Sequence, residues 1–525
     1  MEPNGKLGAI VLAAGQSTRF RSATSKLLHV LHGRPVICWT LAALRDLEAE
    51  PIVVVVGAHA EAVQAACGPG AQFVLQPEQR GTGHAALMAR SALEHFSGAV
   101  LVLNADLPML TSGSLRRLVE QHHASGAGLT VMTATVPEPH GWGRIVRHGG
   151  AIHAIVEERD ATRDERALRE VNVGVYCIGP RLVFPILERL TPDNVQGEMY
   201  LTDMVKGAVQ AGIRVAGVPV EAKEVVQVNS RVDLAAVGKT MRERTNRAWM
   251  AAGVTLEDPD STYIGPDVRV GRDTVIGPNV HLRGRTVVGE SCRFDGSAFV
   301  TDSAVADGVH VKFGVVMTET EIGRGCEIGP FAHLRPGTCL AAAVHIGDFV
   351  ETKKAVIGEG TKANHLAYLG DVEIGSDTNI GAGTITCNYD GFRKHRTVIG
   401  SRVQVGSDSQ LVAPVTVADD AYVATGTTVR QNVPAGALVF NSKQDIHRPG
   451  WVAARRAREA GTAGLGAQAA AVRPRPLRAV AKSKGGGVRT KRAKAGVKPR
   501  ATAGTKKAAR VKTRGIGRSR RVRTR

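Results

Sequence analysis

A glycine turn follows the first apolar segment of the chain and brings two cations with it. The run Leu12-Ala-Ala14-Gly15-Gln-Ser-Thr-Arg19 leaves this segment directly, and Lys26 follows shortly after. A glycine turn at the end of a buried strand exposes backbone N–H groups, which can bind a phosphate or a base. Arg19 and Lys26 would supply the positive charge that neutralises a triphosphate. The alternative is an ordinary turn from a strand into a helix.

A carboxylate, Asp106, stands just beyond the apolar run at residues 99–104. In open α/β sheets, ligands bind at the carboxyl ends of strands. A lone carboxylate there suits the Mg²⁺ that a nucleotide carries. The alternative is a helix N-cap ahead of Leu107-Pro108.

His365 is the natural general base of the second half of the chain, because imidazole exchanges protons near neutral pH. Arg335 and Lys353 bring cations to the same region. Taken alone, a histidine is more often an ordinary surface or core residue. Cys387 could be mistaken for a nucleophile, but a small, buried apolar role is the better interpretation.

Residues 7–230 alternate apolar strand runs with helical stretches. Strands are predicted at residues 9–14, 52–57, 99–104 and 129–134, and helices at 35–47, 60–67 and 83–96. This order favours a mostly parallel sheet that is covered on both faces. Residues 230–252 read as one connecting helix, which Ser230 and Asp233 would cap and Gly253 would end.

From Tyr263 an aliphatic residue recurs every six positions, as at Ile264, Val270, Ile276, Leu282 and Val288. The register is lost around 295–320 and resumes at Ile322. This period predicts a parallel β-helix with about 18 residues per coil. A chance run in a Val- and Gly-rich segment is the alternative. Residues 388–394 break the phase and are predicted to form a projecting loop.

Composition limits the class of protein. The 525 residues suggest two or three domains. The chain has no apolar run long enough to span a membrane and no secretory start. Its seven cysteines are scattered without a CxxC pair, which favours a reducing cytoplasm over disulfides or a zinc site.

The net charge of +20 belongs to the C-terminal end. Residues 471–525 hold 21 Lys or Arg and no Asp or Glu, so the remainder is close to neutral. The chain beyond Trp451 lacks the means to form a core and is predicted to be disordered. Two interpretations stay open for this tail. One is non-specific binding to nucleic acid or another polyanion, and the other is a solvated extension with no partner.

A series of motifs in the first half resembles the sugar-1-phosphate nucleotidyltransferases. The resemblance is closest to the bifunctional N-acetylglucosamine-1-phosphate uridylyltransferase / glucosamine-1-phosphate acetyltransferase family and covers residues 7–452. The motifs are Leu12–Arg19 with Lys26, Gln79-Arg-Gly-Thr-Gly-His-Ala85, Asp106-Leu-Pro108, Gly141-Trp-Gly-Arg-Ile145, Ile155-Val-Glu157, Glu170-Val-Asn-Val-Gly174 and Gly197-Glu-Met-Tyr-Leu-Thr-Asp203. The resemblance implies an α/β fold, with a Rossmann-like nucleotidyltransferase domain followed by a left-handed parallel β-helix of hexapeptide repeats.

The resemblance also implies roles in the first half. The uridine of UTP would be held by Leu12, Ala14, Gly15, Gln76, Gly81 and Thr82. Arg19 and Lys26 would contact phosphates as catalytic cations, and Asp106 and Asn229 would bind Mg²⁺. Gly143, Glu157 and Asn172 would hold the N-acetylhexosamine.

In the second half, the resemblance makes His365 the base for the sugar amine. Glucosamine 1-phosphate would be held by Arg335, Lys353, Tyr368 and Asn379. Acetyl-CoA would be contacted by Ala382, Asn388, Tyr389, Ser407, Thr425 and Lys443. A homotrimer with acyltransferase sites between chains is implied as well.

Several positions depart from the family pattern. Ser17 and Gln227 stand where Gly is usual, Asn104-Ala105 where Tyr-Gly is usual, and Val173 where Thr is usual. Side chains at 17, 105 or 227 would bear on base and sugar preference. Thr425 replaces a small Ala, and Ser442 replaces a CoA-binding Arg next to Lys443, so both bear on acetyl-CoA affinity.

The expected organisation is a uridylyltransferase domain (1–230), a linker helix (231–253), an acetyltransferase β-helix (254–455) and a basic disordered tail (456–525). The expected function is cytoplasmic synthesis of UDP-N-acetylglucosamine, which feeds peptidoglycan and lipopolysaccharide precursors. The alternatives are a single-activity nucleotidyltransferase with a scaffold β-helix, an acyltransferase with a dead nucleotidyl domain, and a polyanion-binding protein on an enzyme-derived scaffold.

Overall fold

The structure, a computed structural model, describes residues 5–442 and 444–469. The chain divides into two compact units between residues 443 and 444. Among the described residues, no helix is both long and apolar enough to cross a membrane.

The first half is built on a mixed sheet whose strands are nearly continuous apolar runs. Its strands are β1 Leu7–Ala13, β2 Val30–Leu31, β3 Arg34–Pro35, β4 Ile52–Val56, β5 Gln72–Leu75, β6 Ala99–Asn104, β7 Leu129–Thr135, β8 Arg144–His148, β9 Ala151–Val156, β10 Glu170–Ile178 and β11 Val215–Val220. The main order is β11-β7-β10-β6-β1-β4-β5, with β8 and β9 as a hairpin beside β10 and with β2–β3 as a separate ribbon. Only β10 runs antiparallel to its neighbours on this main path.

Helices cover both faces of this sheet, as predicted. The helices up to the start of the β-helix are α1 Val36–Arg45, α2 Ala60–Cys67, α3 Thr82–Met88, α4 Ser112–Ser125, α5 Arg163–Arg166, α6 Pro180–Leu187, α7 Asp203–Gln210 and the connecting helix α8 Arg231–Ala251, with 3₁₀ turns at Thr18–Phe20, Lys26–Leu28, Ser91–Leu93 and Ala222–Glu224. Strand β1 shows why two layers are needed: Ala9 and Val11 pack into one core, and Ile10 and Leu12 into the other.

Two helix predictions had different outcomes. The capping box predicted for the connecting helix is present, since the Ser230 and Asp233 side chains cap each other's backbone at the start of α8. The helix predicted at 83–96 is wrong in length, because α3 ends at Met88. There Ala89 and Arg90 donate to carbonyls three residues back, which tightens the chain into a 3₁₀ turn.

The second half is a left-handed parallel β-helix. Its strands are β12 Thr255–Leu256, β13 Tyr263–Ile264, β14 Arg269–Val270, β15 Val275–Ile276, β16 His281–Arg283, β17 Val287–Val288, β18 Arg293–Phe294, β19 Phe299–Thr301, β20 Ala304–Val305, β21 His310–Val311, β22 Val316–Thr318, β23 Thr320–Ile322, β24 Glu327–Ile328, β25 His333–Leu334, β26 Thr338–Leu340, β27 His345–Asp348, β28 Glu351–Ile357, β29 Lys362–His365, β30 Tyr368–Ile374, β31 Asn379–Ile380, β32 Ile385–Cys387, β33 Thr397–Ile399, β34 Gln404–Val405, β35 Gln410–Val412, β36 Val415–Val417, β37 Tyr422–Val423, β38 Thr428–Val429 and β39 Leu438–Val439. The aliphatic residue of each hexad points inward, and the copies stack into one core.

The prediction that the hexad register is lost around 295–320 is wrong. Phe294, Val300, Val305, Val311 and Met317 are all buried in the core and continue the series. The coils here are one residue shorter: His281 pairs with Phe299, 18 positions on, whereas Phe299 pairs with Val316, 17 positions on. The aliphatic series therefore shifts by one position without leaving the prism.

The predicted loop at residues 388–394 does interrupt the coil. Ile374 pairs with Ile399, 25 positions on, so this coil holds several extra residues. They form a projecting loop that a bridge between Tyr389 and Lys394 closes.

Beyond the β-helix, α9 spans Trp451–Ala469. Residues 456–469 are therefore helical rather than disordered as predicted. Alanine favours helix here, and Arg455 pairs with Glu459 one turn on at 2.6 Å. The predictions for the basic residues 470–525 lie outside the described residues.

Candidate active sites

The carboxyl ends of β1, β5 and β6 open into one cleft of about 560 Å³. The residues predicted to hold a nucleotide and its metal line it together: Leu12, Ala14, Gly15, Arg19, Lys26, Gln76, Gly81, Thr82, Asp106 and Asn229. They come together because parallel strands place their following loops at one edge of the sheet. The cleft therefore joins backbone N–H groups, two cations and the carboxylate of Asp106, with Glu198 also on its wall.

The glycine at position 81 shapes the wall of this cleft. Its φ is +106°, and a Cβ atom there would lie 2.5 Å from the carbonyl oxygen of Met199. The chain needs glycine here because both the conformation and the close approach exclude a side chain. The buried Gln76 amide donates to the Gly81 carbonyl at 3.2 Å and also contacts His84, so the loop is fixed against the sheet.

The predicted metal ligands and one predicted phosphate contact form a single group. Lys26 Nζ lies 2.5 Å from Asp106 Oδ2 and 2.7 Å from Asn229 Oδ1. Asp106 Oδ1 is buried and has no hydrogen-bond partner. The alternative role of Asp106 as a helix cap is not observed, since Thr111 caps α4. An unpartnered carboxylate oxygen next to an amide oxygen is the donor set that Mg²⁺ favours.

This set alone would leave a metal incompletely coordinated. Within the described residues, no cluster of three or more His, Cys, Asp or Glu side chains could hold a metal ion. A cation between Asp106 and Asn229 would need further oxygen ligands from phosphates and water, which is the usual situation of nucleotide-bound Mg²⁺.

The three predicted sugar contacts lie together beside the cleft. Asn172 N–H donates to the Gly143 carbonyl at 2.9 Å, and a Cβ atom on Gly143 would lie 3.6 Å from the Glu157 carboxylate. Burial raises the pKa of Glu157, and the Thr202 hydroxyl, which donates to it at 3.0 Å, opposes this shift. Nearby Asp203 and Asp160 raise the pKa of Glu157 further.

The unusual residues of this half fall into two kinds. Ala105 and Val173 are buried in the core, so they do not narrow the cleft. Ser17, Asn104 and Gln227 do line it. Ser17 has a φ of +58°, which explains why glycine is usual there.

The second candidate site surrounds His365. Its Nδ1 is 2.8 Å from Asp348 Oδ1, and Asp348 is its partner on the neighbouring coil. A carboxylate can only accept here, so this contact favours the neutral tautomer with the proton on Nδ1, in which Nε2 is the acceptor nitrogen. Two predicted substrate residues lie on an adjoining face, where Glu351 pairs with Tyr368 and accepts from Arg335 at 2.6 Å.

Cations crowd the space next to these residues. The positive charge of Lys394, and then that of Arg335, lowers the pKa of Lys353. Lys394 belongs to the projecting loop and lies 3.9 Å from Asp371. Such crowding is unfavourable in the free protein and would be relieved by an anion such as a sugar phosphate.

Four predicted residues stack in a column along one edge of the prism. His365, Ala382, Ser407 and Thr425 occupy the same turn of successive coils, and strand pairing carries one turn to the next. At about 4.8 Å per strand, the column spans roughly 14 Å. This edge offers an extended surface that leads to the histidine.

The other predicted residues of this half are distributed as follows. Asn379 lies on β31, one coil after Lys362. Asn388 is buried and donates to Asp371 at 2.6 Å, whereas Tyr389 is exposed on the loop. Burial raises the pKa of the Cys387 thiol, which argues against a nucleophile. Ser442 is exposed, and Lys443 lies outside the described residues.

Sequence reasoning missed several residues of the two sites. They are Gln79, Asn104 and Glu198 around the cleft, and Asp348, Glu351 and Lys394 on the prism. Asp348 could have been found, because it precedes His365 by one 17-residue coil. The sequence marked Asn104 only as a departure from the family pattern, because its neighbour Gly174 lies on β10, which is far along the chain but next to β6 in the sheet.

Comparison with known proteins agrees with this arrangement. The family model described as the MobA-like NTP transferase domain matches residues 9–202. Three relatives, each named bifunctional protein GlmU, match far more of the chain. That of Trichlorobacter lovleyi is 49% identical over 453 residues, covering 85% of this chain and 98% of the relative. Those of Pelobacter propionicus (46% over 449 residues; 85% and 98%) and Heliobacterium modesticaldum (46% over 435; 82% and 95%) are similar.

A nucleotide cleft on an α/β sheet, joined to a hexapeptide-repeat prism with a histidine site, defines a bifunctional transferase. The expected resemblance and class are thereby confirmed. Identity near one half over almost the whole length of these relatives places the chain in a family: it belongs to the GlmU family.

Proposed function

We propose that this protein makes UDP-N-acetylglucosamine in two steps. The β-helix acetylates glucosamine 1-phosphate from acetyl-CoA, and the α/β domain then couples N-acetylglucosamine 1-phosphate to UTP. The observation that carries the proposal is the presence in one chain of both the Asp106 cleft and the oriented His365. The product would serve peptidoglycan and lipopolysaccharide precursor synthesis in the cytoplasm.

In the uridylyl step, a phosphate oxygen of the sugar attacks the α-phosphorus of UTP, and pyrophosphate leaves. The glycine loops around Gly15 and Gly81 would hold the nucleotide, while Glu157 and Asn172 would orient the sugar. Arg19 and Lys26 would neutralise phosphate charge. Mg²⁺, held by Asp106 and Asn229, would supply charge neutralisation at the triphosphate. Positioning and electrostatics provide most of such catalysis.

In the acetyl step, Nε2 of His365 takes a proton from the sugar 2-amine. The nitrogen bonds to the acetyl carbon, the C–S bond of the thioester breaks, and the departing CoA thiolate takes up the proton that His365 received. Asp348 would keep the imidazole in the required tautomer. The cations Arg335 and Lys353 would bind the sugar phosphate, with Tyr368 and Asn379 alongside. The column from Ala382 to Thr425 would support acetyl-CoA, with Asn388, Tyr389 and Lys443 as further contacts.

The test follows CoA and pyrophosphate separately in the full-length protein. One reaction starts from glucosamine 1-phosphate and a second from N-acetylglucosamine 1-phosphate, so that uridylyl transfer does not depend on acetylation. His365→Ala should lose CoA release in the first reaction and keep pyrophosphate release in the second. Asp106→Ala should keep CoA release in the first reaction and lose pyrophosphate release in the second. Each variant is thus the folding control for the other. Pyrophosphate without CoA in the wild type would leave a single-activity nucleotidyltransferase, and CoA without pyrophosphate a dead nucleotidyl domain.

We also propose that the active form is a homotrimer with acetyltransferase sites between chains. Four apolar side chains form an exposed ridge on successive coils, Phe313, Phe331, Phe349 and Leu366, and the ridge ends beside His365. An exposed apolar ridge favours association. Phe331→Asp should dissociate the protein in light scattering and reduce CoA release. Val30→Asp, at an exposed valine of the α/β domain, should not. A monomeric wild type with full acetyl transfer would contradict the trimer.

For the basic tail, we propose salt-sensitive binding to a polyanion such as duplex DNA. The 21 positive charges of residues 471–525 support this, and no acidic residue offsets them. Removing residues 470–525 should abolish DNA binding at low salt and leave both transferase activities intact. Equal DNA binding by the truncated protein would favour a tail without a dedicated partner.

A further inference from the structure

The ammonium group of Lys26 lies between the Asp106 carboxylate and the Asn229 amide oxygen, the two groups predicted to bind the metal. It lies 2.5 Å from Asp106 Oδ2 and 2.7 Å from Asn229 Oδ1, and the Lys26 and Asp106 side chains are only 15% and 12% exposed. A divalent cation on the same two oxygens would face a like charge at contact distance. Lys26 and the metal therefore cannot both hold these positions.

The backbones of Asp106 and Asn229 and the Asn229 side chain are held by hydrogen bonds, whereas Lys26 has a long side chain with several rotatable bonds. Asn229 N–H donates to Asp233 Oδ2 at 3.0 Å, and its side-chain amide donates to Gln227 at 3.1 Å. The backbone carbonyl of Asp106 accepts a hydrogen bond from the Val228 N–H at 3.1 Å. The backbone of Lys26 is tied to Ser17 at 3.3 Å, but its four-carbon stem rotates readily. Exchange of cations would thus move Lys26 and leave the carboxylate in place.

The structure also leaves room for a better partner than the lysine. Asp106 Oδ1 is buried with no hydrogen bond, so the lysine satisfies only half of the carboxylate. Arg19 lines the same cleft but makes no ion pair with Asp106 in the part of the chain that the structure describes. Among the cleft's cations, it is Lys26 that balances this charge.

We propose that Lys26 is a resident cation that competes with free metal and yields only when metal and nucleotide arrive together. In the free protein its ammonium blocks the metal position. When a metal-bound nucleoside triphosphate enters, the phosphates give the ammonium a new anionic partner, and Asp106 and Asn229 pass to the metal. The inference rests on the proposed uridylyl transfer. It predicts that metal binds tightly only together with the nucleotide, and that metal alone binds weakly.

The experiment measures Mn²⁺ binding to the full-length protein by electron paramagnetic resonance, first without nucleotide. Lys26→Met keeps the side-chain length and removes the charge, and should bind free Mn²⁺ at least about tenfold more tightly than the wild type, or about 1.4 kcal/mol. Lys26→Arg keeps the charge and should stay weak. Arg19→Met removes the same charge from the same cleft without freeing Asp106, and should change Mn²⁺ affinity much less. Adding Asp106→Asn to Lys26→Met should abolish the gain.

The second measurement is UTP affinity with saturating Mn²⁺. Here Lys26→Met should weaken binding rather than strengthen it. Lys26→Met should bind UTP at least about tenfold more weakly, because the phosphates lose the transferred ammonium. Unchanged or weaker Mn²⁺ binding by Lys26→Met would overturn the inference, as would an equal gain in Arg19→Met. A wild type that releases no pyrophosphate would instead reject the proposed function, so the two failures are distinguishable.

Discussion

Replacing Asp348 with alanine removes the acceptor that fixes the tautomer of His365. The Nδ1–Oδ1 distance is 2.8 Å, and the side chains are 62% exposed for His365 and 38% for Asp348. Hydrogen bonds to charged groups contribute about 1.5–3 kcal/mol. Solvent screening at this exposure places the pair at or below the lower end. The expected loss is therefore about tenfold in kcat for acetyl transfer, well below the loss of about 10²–10⁴ expected for His365→Ala.

The assay is CoA release from acetyl-CoA and glucosamine 1-phosphate, with pyrophosphate release from N-acetylglucosamine 1-phosphate as the folding control. A matched pair tests specificity. His310 and Asp295 also form a 2.8 Å contact on the same face of the prism, three coils before His365. Asp295→Ala should leave acetyl transfer unchanged. Full activity in Asp348→Ala, or an equal loss in Asp295→Ala, would refute the orienting role.

Two further predictions concern the sugar pocket. Thr202→Val removes a hydroxyl that lowers the pKa of Glu157. The pKa of Glu157 should therefore rise, and the acid limb of the pH profile for uridylyl transfer should move to higher pH. An unmoved acid limb would exclude Glu157 as its source. Gly174→Ala forces alanine to a φ of +77° with its Cβ 2.5 Å from the Asn104 amide. It should lower the free energy of unfolding, measured by denaturation, by about 1 kcal/mol or more beyond the effect of Gly141→Ala. Gly141 has similar backbone strain (φ +83°) but open space around its Cβ position.

The architecture could be predicted because its signals are local and repeated. Apolar runs that end in glycine or a carboxylate predicted the cleft, and the six-residue period predicted the prism. The period failed where coils shorten to 17 residues, as between Phe299 and Val316. A one-residue change preserves the stacking of side chains yet breaks a fixed count along the sequence. The length of α3 failed for a different reason, since nothing local marks the change to 3₁₀ bonding at Ala89.

The contacts within the sites could be predicted only in part. The coil length links Asp348 to His365 by arithmetic alone, so this pair was within reach of the sequence. The group of Lys26, Asp106 and Asn229 was not, because these residues are separated by 80 and 123 positions and meet only when the sheet forms. Residue types suggested a metal site and a phosphate contact, but only the fold shows that the Lys26 ammonium lies against Asp106 and Asn229, the residues predicted to bind the metal.

The departure at Gln227 shows how an unusual residue can support a site rather than weaken it. A side chain there was expected to bear on the pocket, and it does line the cleft. Its side-chain oxygen Oε1, however, accepts a hydrogen bond from Asn229 Nδ2 at 3.1 Å. This contact turns the Asn229 side-chain oxygen towards Lys26. A glycine could not set this orientation. The extra side chain therefore fixes which end of the Asn229 amide faces a cation.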